Sequence, residues 1–307
     1  MTYRNILIPL DGSHFAEEAI PYARYLARSA GARLHLIMVH EPVPALVGMG
    51  ETPPLIDLDD QSRDQERNYL AAVAGDLLQE QLPVAFRELE GAPGPMLCEE
   101  ADRIEADLVV MATHGRGAMG RLWLGSVADY LVRHLSVPVL LIHPDRLQRP
   151  IEPPLHSILV SLDLSRESET ILEPVVQLAQ LTQGHVTLVH VIEPILGSTS
   201  LGMPFAAPVP FEVFEEQRTT AQRKLDRVAD ALRERGLSVS ARMVDVANAA
   251  TGLLEMLEEK QYDLIAMTTH GRGGVRRLLL GSVADKVIRG AAKPVLVVRP
   301  GGTDYSP

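Results

Sequence analysis

The sequence predicts an α/β fold written twice, as two tandem domains that each form an open five-stranded parallel sheet with helices on both faces. Three observations carry this. The 307 residues fit two domains of roughly 150 each. Residues 108–142 align without a gap onto 264–298, with 19 of 35 positions identical, which chance cannot produce. In each copy, short apolar runs alternate with amphipathic stretches, the pattern of a parallel sheet joined by right-handed helical crossovers.

Weaker echoes precede the main repeat. NILIPLDGS (5–13) answers SILVSLDLS (157–165), and MVHEP (38–42) answers HVIEP (190–194). The organisation that follows is domain 1 over 1–145, a Pro-rich polar linker over 146–155, domain 2 over 156–300 and a disordered tail over 301–307.

In the first copy, Ile6-Leu7-Ile8 is a short apolar run suited to a strand buried on both faces. Residues 14–29 place Phe15, Ala19, Tyr22, Ala23 and Leu26 at helical spacing. Residues 34–39 read as the second strand, 62–81 as a long helix, 84–90 as the third strand and 95–105 as a helix. Residues 107–112 read as the fourth strand, 126–135 as a helix and 138–142 as the fifth strand. The second copy repeats the order at 157–162, 167–182, 186–192, 211–235, 238–244, 249–260, 263–268, 282–290 and 295–299. Long loops at 42–60 and 194–210 follow strand 2 of each copy, either as lids over a site or as plain connections.

Composition narrows the function. The chain is 46% hydrophobic, 4% aromatic and 22% charged, which excludes disordered and collagen-like chains. A net charge of −11 argues against nucleic-acid binding, which needs cationic contacts to phosphate. The single cysteine, Cys98, excludes an internal disulfide and reads as a small buried hydrophobe. No apolar run approaches the roughly 20 residues of a membrane span, and residues 1–10 lack a signal peptide's apolar core. A cytoplasmic location is the expectation.

In an open parallel sheet, ligands bind beyond the carboxyl ends of the strands where the strand order reverses, here between strands 1 and 4. Pro9-Leu10-Asp11-Gly12-Ser13 follows strand 1. Thr113-His114-Gly115-Arg116-Gly117, then Gly125-Ser126 opening a helix, follow strand 4. The second copy places Asp163, Ser165, Gly271-Arg272-Gly273 and Gly281-Ser282 at the matching points. Glycines let backbone amides approach an anion, a helix N-terminus favours phosphate, and Arg116 and Arg272 add charge. An Asp beyond strand 1 suits ribose hydroxyls. Plainer roles stand beside these. Ser126 and Ser282 begin Ser-x-x-Asp patterns and could serve as helix caps, alone or together with phosphate contact. Asp11 and Asp163 could cap the first helix, and the glycines could be turn residues only. His114 and His270 read as loop-ordering residues before catalysts.

At these residues the chain resembles the universal stress protein family in its tandem form. Nucleotide-binding members carry Gly-x2-Gly-x9-Gly-Ser/Thr after strand 4. Its second Gly falls on Gly115 and Gly271, and its last pair on Gly125-Ser126 and Gly281-Ser282. The first Gly is replaced by Ala112 and by Thr268, so the second site is expected to be the weaker or empty one. The resemblance implies a Rossmann-like (adenine nucleotide alpha hydrolase-like) sheet of order 3-2-1-4-5, binding of ATP, ADP or AMP in some members, and dimerisation through edge strand 5. Carried over residue by residue, the first site comprises Pro9, Leu10, Asp11, Ser13, Val39, Met111, Ala112, His114, Gly115, Arg116, Gly117, Gly125, Ser126 and Val127. The second comprises Ser161, Leu162, Asp163, Ser165, Val191, Met267, Thr268, His270, Gly271, Arg272, Gly273, Gly281, Ser282 and Val283. Mg²⁺ would be held through the phosphates, with no protein side chain as ligand.

The expected function is therefore a stress-response sensor or regulator that binds an adenine nucleotide in one or both domains. The rival is a nucleotide-independent scaffold with vestigial clefts, its halves paired through strand 5, with a homodimer also open. Dedicated catalysis is not expected, although weak ATP hydrolysis is compatible with the site. Residues 1–150 contain no lysine for a P-loop, and Gly-x-Ser-x-Gly does not occur.

Overall fold

The computed structural model describes residues 3–42, 55–113, 124–144, 153–192, 211–259, 261–270 and 280–301, with the backbone alone at 55–58 and 211–214. The first half contains β1 (Asn5–Pro9), α1 (His14–Glu17), α2 (Ile20–Ala30), β2 (Arg33–His40), α3 (Leu55–Gln79), β3 (Val84–Glu90), α4 (Pro93–Arg103), β4 (Leu108–Ala112), α5 (Ser126–His134) and β5 (Val139–Ile142). The second contains β6 (Ser157–Ser161), α6 (Arg166–Glu169), α7 (Leu172–Thr182), β7 (His185–Ile192), α8 (Phe211–Glu234), β8 (Ser238–Asp245), α9 (Ala249–Glu258), β9 (Leu264–Thr268), α10 (Ser282–Gly290) and β10 (Val295–Val298).

Each half forms a parallel sheet of the expected order, and the two sheets are one. The ten strands run β3-β2-β1-β4-β5-β10-β9-β6-β7-β8. Every described pairing is parallel except β5 with β10, where Val139, Leu140 and Leu141 oppose Val297, Leu296 and Val295. The strands β4, β5, β9 and β10, apolar except for Thr268, are buried at every position, as strands covered on both faces must be. Ile6 and Ile8 face one core, with Leu70 of α3 and Val175 of α7; Leu7 faces the other, with Leu131 of α5 and Val287 of α10. Both cores draw residues from both halves, so neither half closes its apolar surface alone. Strand 5, the expected dimer edge, is consumed within the chain.

The junction is also tied by polar contacts at the helix ends. His143, buried, donates from Nε2 to the Ile288 carbonyl at 2.7 Å, and Arg299 Nη1 donates to the Arg133 carbonyl at 3.3 Å. Donors suit these sites because the last carbonyls of α5 and α10 carry partial negative charge.

Three sequence expectations need correction. The helices expected over 14–29 and 167–182 are each two helices, α1 with α2 and α6 with α7. Pro21 and Pro174 lack the N–H that would continue the ladder across the break. The long helix expected from 62 begins at Leu55, so the loop before it ends at 54. Loop residues 43–54 and 193–210, residue 145 with linker residues 146–152, and tail residues 302–307 lie outside the described residues, while Leu155, also in the expected linker, is fully buried.

Candidate functional site

Because β1 pairs directly with β4, and β6 with β9, the segments leaving them are neighbours at the carboxyl end of the sheet. In the first half, the Leu10 N–H bonds the Ile37 carbonyl at 2.8 Å, which keeps the chain in line with β2 for one residue more. Gly12 then turns with φ +75°, a conformation natural to glycine. Asp11 Oδ1 accepts the Ser13 N–H at 2.9 Å, and Ser13 Oγ accepts from the Ala16 N–H at 3.2 Å. Ser13, not Asp11, is the cap of α1; Asp11 shapes the turn that aims it.

Beyond β4, the Thr113 N–H bonds the Ile142 carbonyl at 2.8 Å, and the Gly125 N–H bonds the Thr113 carbonyl at 2.8 Å. The second half repeats both bonds, from Thr269 to Val298 and from Gly281 to Thr269. The glycine-bearing segment is thus pinned where it leaves the strand and where it enters the helix. Gly125 and Gly281 are the N-caps, so Ser126 and Ser282 are first helical residues with no side-chain cap bond. Both serines are exposed at the amino ends of α5 and α10. A Cβ on Gly281 would meet the Thr269 carbonyl oxygen at 3.1 Å, a tight approach to backbone that favours glycine there.

Other candidates are placed differently from one another. Met111, Met267, Leu10 and Leu162 have buried core side chains, so only their backbone could line a crevice. Val39, Val191, Val127 and Val283 pack partly buried at the core's margin. Pro9 and Ser161 close their strands, and Ala112 is buried at the end of β4. His114, Gly115, Arg116, Gly117, Gly271, Arg272 and Gly273 lie outside the described residues.

The second crevice is filled and bonded by its own groups. Leu164, at the place of Gly12, adopts φ +62° and buries its side chain. His190, at the place of Met38, donates from Nδ1 to the Leu162 carbonyl at 2.8 Å. Asp163 Oδ1 accepts both the N–H and the hydroxyl of Ser165. Thr268, buried, donates its hydroxyl to the His270 carbonyl at 2.7 Å, which folds the loop's first residues back onto the strand. His270 Nδ1 meets the Thr269 hydroxyl at 2.9 Å, while its Nε2 is buried without a partner among the described residues. Burial lowers the pKa of His270, and Arg133 and Arg299 lower it further, so its ring is neutral near pH 7.

Sequence reading missed two buried charged clusters in the first half. His40 lies between Glu66 and Asp59, each at 2.9 Å, and Glu100 lies under Arg103 and Arg87. The exchange of His40 for Ile192 between MVHEP and HVIEP was the available signal. Cys98 is half-buried, and burial followed by Asp102 pushes its thiol up to about 11, which leaves it protonated. Among the described residues there is no cluster suited to a metal ion and no helix long and apolar enough to cross a membrane.

Comparison with known proteins agrees with this architecture. The profile of the Universal stress protein family matches residues 2–143 and 154–299. A universal stress protein of Mycolicibacterium smegmatis is 28% identical over 307 residues, covering 97% of this chain and 98% of that protein. One from Mycobacterium tuberculosis is 31% identical over 207 residues, covering 67% of this chain and 66% of that protein. The crystal structure of a universal stress protein from Archaeoglobus fulgidus superposes with a TM-score of 0.69 at 19% identity, covering 97% of this chain and 96% of that one. With a profile match in each half and relatives along nearly its whole length, the chain belongs to the universal stress protein family, as a tandem of two such domains.

Proposed function

We propose that this chain is a cytoplasmic stress-response protein that binds an adenine nucleotide, ATP, ADP or AMP, in its first half and acts as a sensor or regulator. The observation that carries the reading is that the Asp11–Ser13 turn leaves β1 beside β4, whose exit at Thr113 is bonded to Gly125 at the start of α5, where the strand order of the first half reverses. In this reading the amino end of α5 and the exposed Ser126 meet the phosphates, Asp11 meets the ribose, and the backbone at Val39 meets the base. Mg²⁺ would arrive on the phosphates. Binding would act on regulation only through a difference in affinity between two conformations. No dedicated turnover is proposed.

The second crevice supports a weaker role, because the Thr268 hydroxyl is satisfied by its own loop and Leu164 stands where the first half has glycine. The test is release of bound nucleotide from heat-denatured protein, followed by calorimetric titration with ATP. Asp11→Ala should weaken binding by about 1–3 kcal/mol, roughly 5- to 150-fold, while Asp163→Ala leaves it nearly unchanged. No released nucleotide and no heat up to millimolar ATP would overturn the proposal in favour of a scaffold. Loss of all binding in Asp163→Ala alone would reverse the ranking of the halves.

A further inference from the structure

The amino-terminal half of α3 is held down in an unusual way. Among the described residues, the buried apolar anchors of α3 are Leu70, Ala74 and Leu77, all in its carboxyl-terminal half. Between residues 59 and 69 no apolar side chain is buried. Tyr69 packs partly buried against the core, and the other described ties of this stretch to the strands are charged. His40, at the end of β2, is 3% exposed. Its Nδ1 lies 2.9 Å from Glu66 Oε2 and its Nε2 2.9 Å from Asp59 Oδ1. Asp59 also accepts from Arg63, which reaches Glu90 at the end of β3 at 2.9 Å.

An imidazolium has two N–H donors and can serve both carboxylates. A neutral imidazole has one donor and one lone pair, and the lone pair repels whichever carboxylate it faces. We infer that His40 is a proton-dependent latch, clasping the first turns of α3 onto the end of β2 while it carries two protons and releasing one carboxylate, and with it those turns, when it gives one proton to solvent. The neighbouring charged groups agree with a protonated resting state. Asp59 and Glu66 face it from α3, with Arg63 bonded to Asp59, and Glu90 is its register partner on β3, itself bridged by Arg63. Arg67 holds Glu88 at 2.6 Å. Burial opposes the charge on His40, but the bonds to Asp59 and Glu66 outweigh it and raise the pKa.

The second half supplies an internal control. Leu225, Ala229 and Leu232 of α8 repeat the anchors of α3, and Arg218 repeats the strand-end bridge by reaching Asp245 at 2.8 Å. At the positions of His40, Asp59 and Glu66 the sequence has Ile192, Phe214 and Ala221. All three members of the charged set are replaced together by apolar residues, and the arginine bridge is kept.

The experiment is hydrogen exchange on the full chain from pH 5.5 to 9, read as protection factors for residues 59–69 and 214–224. The ring titration of His40 is followed by NMR in parallel. The expected result is a ring midpoint above 6.5 and a fall of at least tenfold in protection over 59–69 through that midpoint, with no step over 214–224. His40→Ile should abolish the step. Glu66→Gln, nearly isosteric, should move the ring midpoint down and keeps the test open if His40→Ile folds poorly. Flat protection over 59–69, equal steps in both halves, a step that survives His40→Ile, or a ring that does not titrate in this range would each overturn the latch.

Discussion

The two halves share a backbone plan and differ in what fills it. Asp107 and Asp263 each accept two backbone N–H groups at the start of the first strand of their half, at 2.7–2.9 Å, so the sheet is anchored identically twice. Elsewhere the first half places ions where the second places hydrocarbon. Glu100, 3% exposed, answers to Met256, 6% exposed, and His40 answers to Ile192. The reverse occurs at the crevice, where glycine and methionine in the first half become Leu164 and His190. A core position accepts either an apolar side chain or a fully partnered charge, because both leave nothing unsatisfied. The first half therefore carries buried ionisable groups at positions where the second carries apolar ones.

The sharpest way to break this comparison is at the seam the halves share. Leu141→Asp puts an unpaired charge into a position with no exposure in the β5–β10 pair, and should cost at least about 4 kcal/mol. Urea denaturation should show both halves failing in one transition, since each core spans the seam. Two separate transitions in the wild type would show instead that the halves are independent.

A second comparison exchanges an ion for hydrocarbon. Hydrogen bonding to Arg103 holds the Glu100 carboxyl below the usual range against the opposing effect of burial, helped by the charges of Arg103 and Arg87. A carboxyl with a depressed pKa contributes stability that is present above its unfolded value and lost as pH falls through the folded one. Glu100→Met should be neutral or stabilising by up to about 2 kcal/mol at pH 7, because both arginines are half-exposed and return to water. It should also remove part of the acid limb of a Tm-against-pH curve below pH about 4.5. An unchanged acid limb would show that Glu100 does not carry that dependence. His40 has the opposite sign: its raised pKa gives stability below about 6.5 that is lost as pH rises through the folded value.

The smallest effect is at the helix ends, where α2 stops on Gly31 at φ +68° and α7 on Gln183 at φ +53°. A Cβ on Gly31 would meet no atom within 4 Å, so the cost of Gly31→Gln is conformational alone, about 1 kcal/mol. Gln183→Gly should return a similar amount, read as a rise in Tm; a Tm no higher than that of the wild type would show that the left-handed residue carries no cost there.

Much of this was legible in the residues. The duplicated Thr-His-Gly-Arg-Gly and Gly-Ser-Val-Ala-Asp segments announced two copies, and apolar runs such as Leu108-Val109-Val110 announced strands covered on both faces. Pro21 and Pro174 could have been read as helix breaks, but the apolar spacing across them ran on unbroken and hid the interruption. Ser126 had the pattern of a cap and is not one, because the Gly125 N–H bonds Thr113 and starts the helix one residue earlier. The clusters around His40 and Glu100 join residues brought together only by packing, and periodicity within one element carries no record of them.

By itself the sequence determined the repeat, the alternation of strand and helix, and the two segments that would converge where the strand order turns. Those properties are local, set by side-chain spacing and by where glycine and proline permit a turn. The pairing of the halves through strand 5 was also readable, but tertiary structure alone decided its antiparallel register, that Thr268 finds its partner in the His270 carbonyl, and that His40 sits between two carboxylates. Each of these depends on burial, which removes water as the alternative partner and makes every polar group answerable to the neighbour that packing supplies.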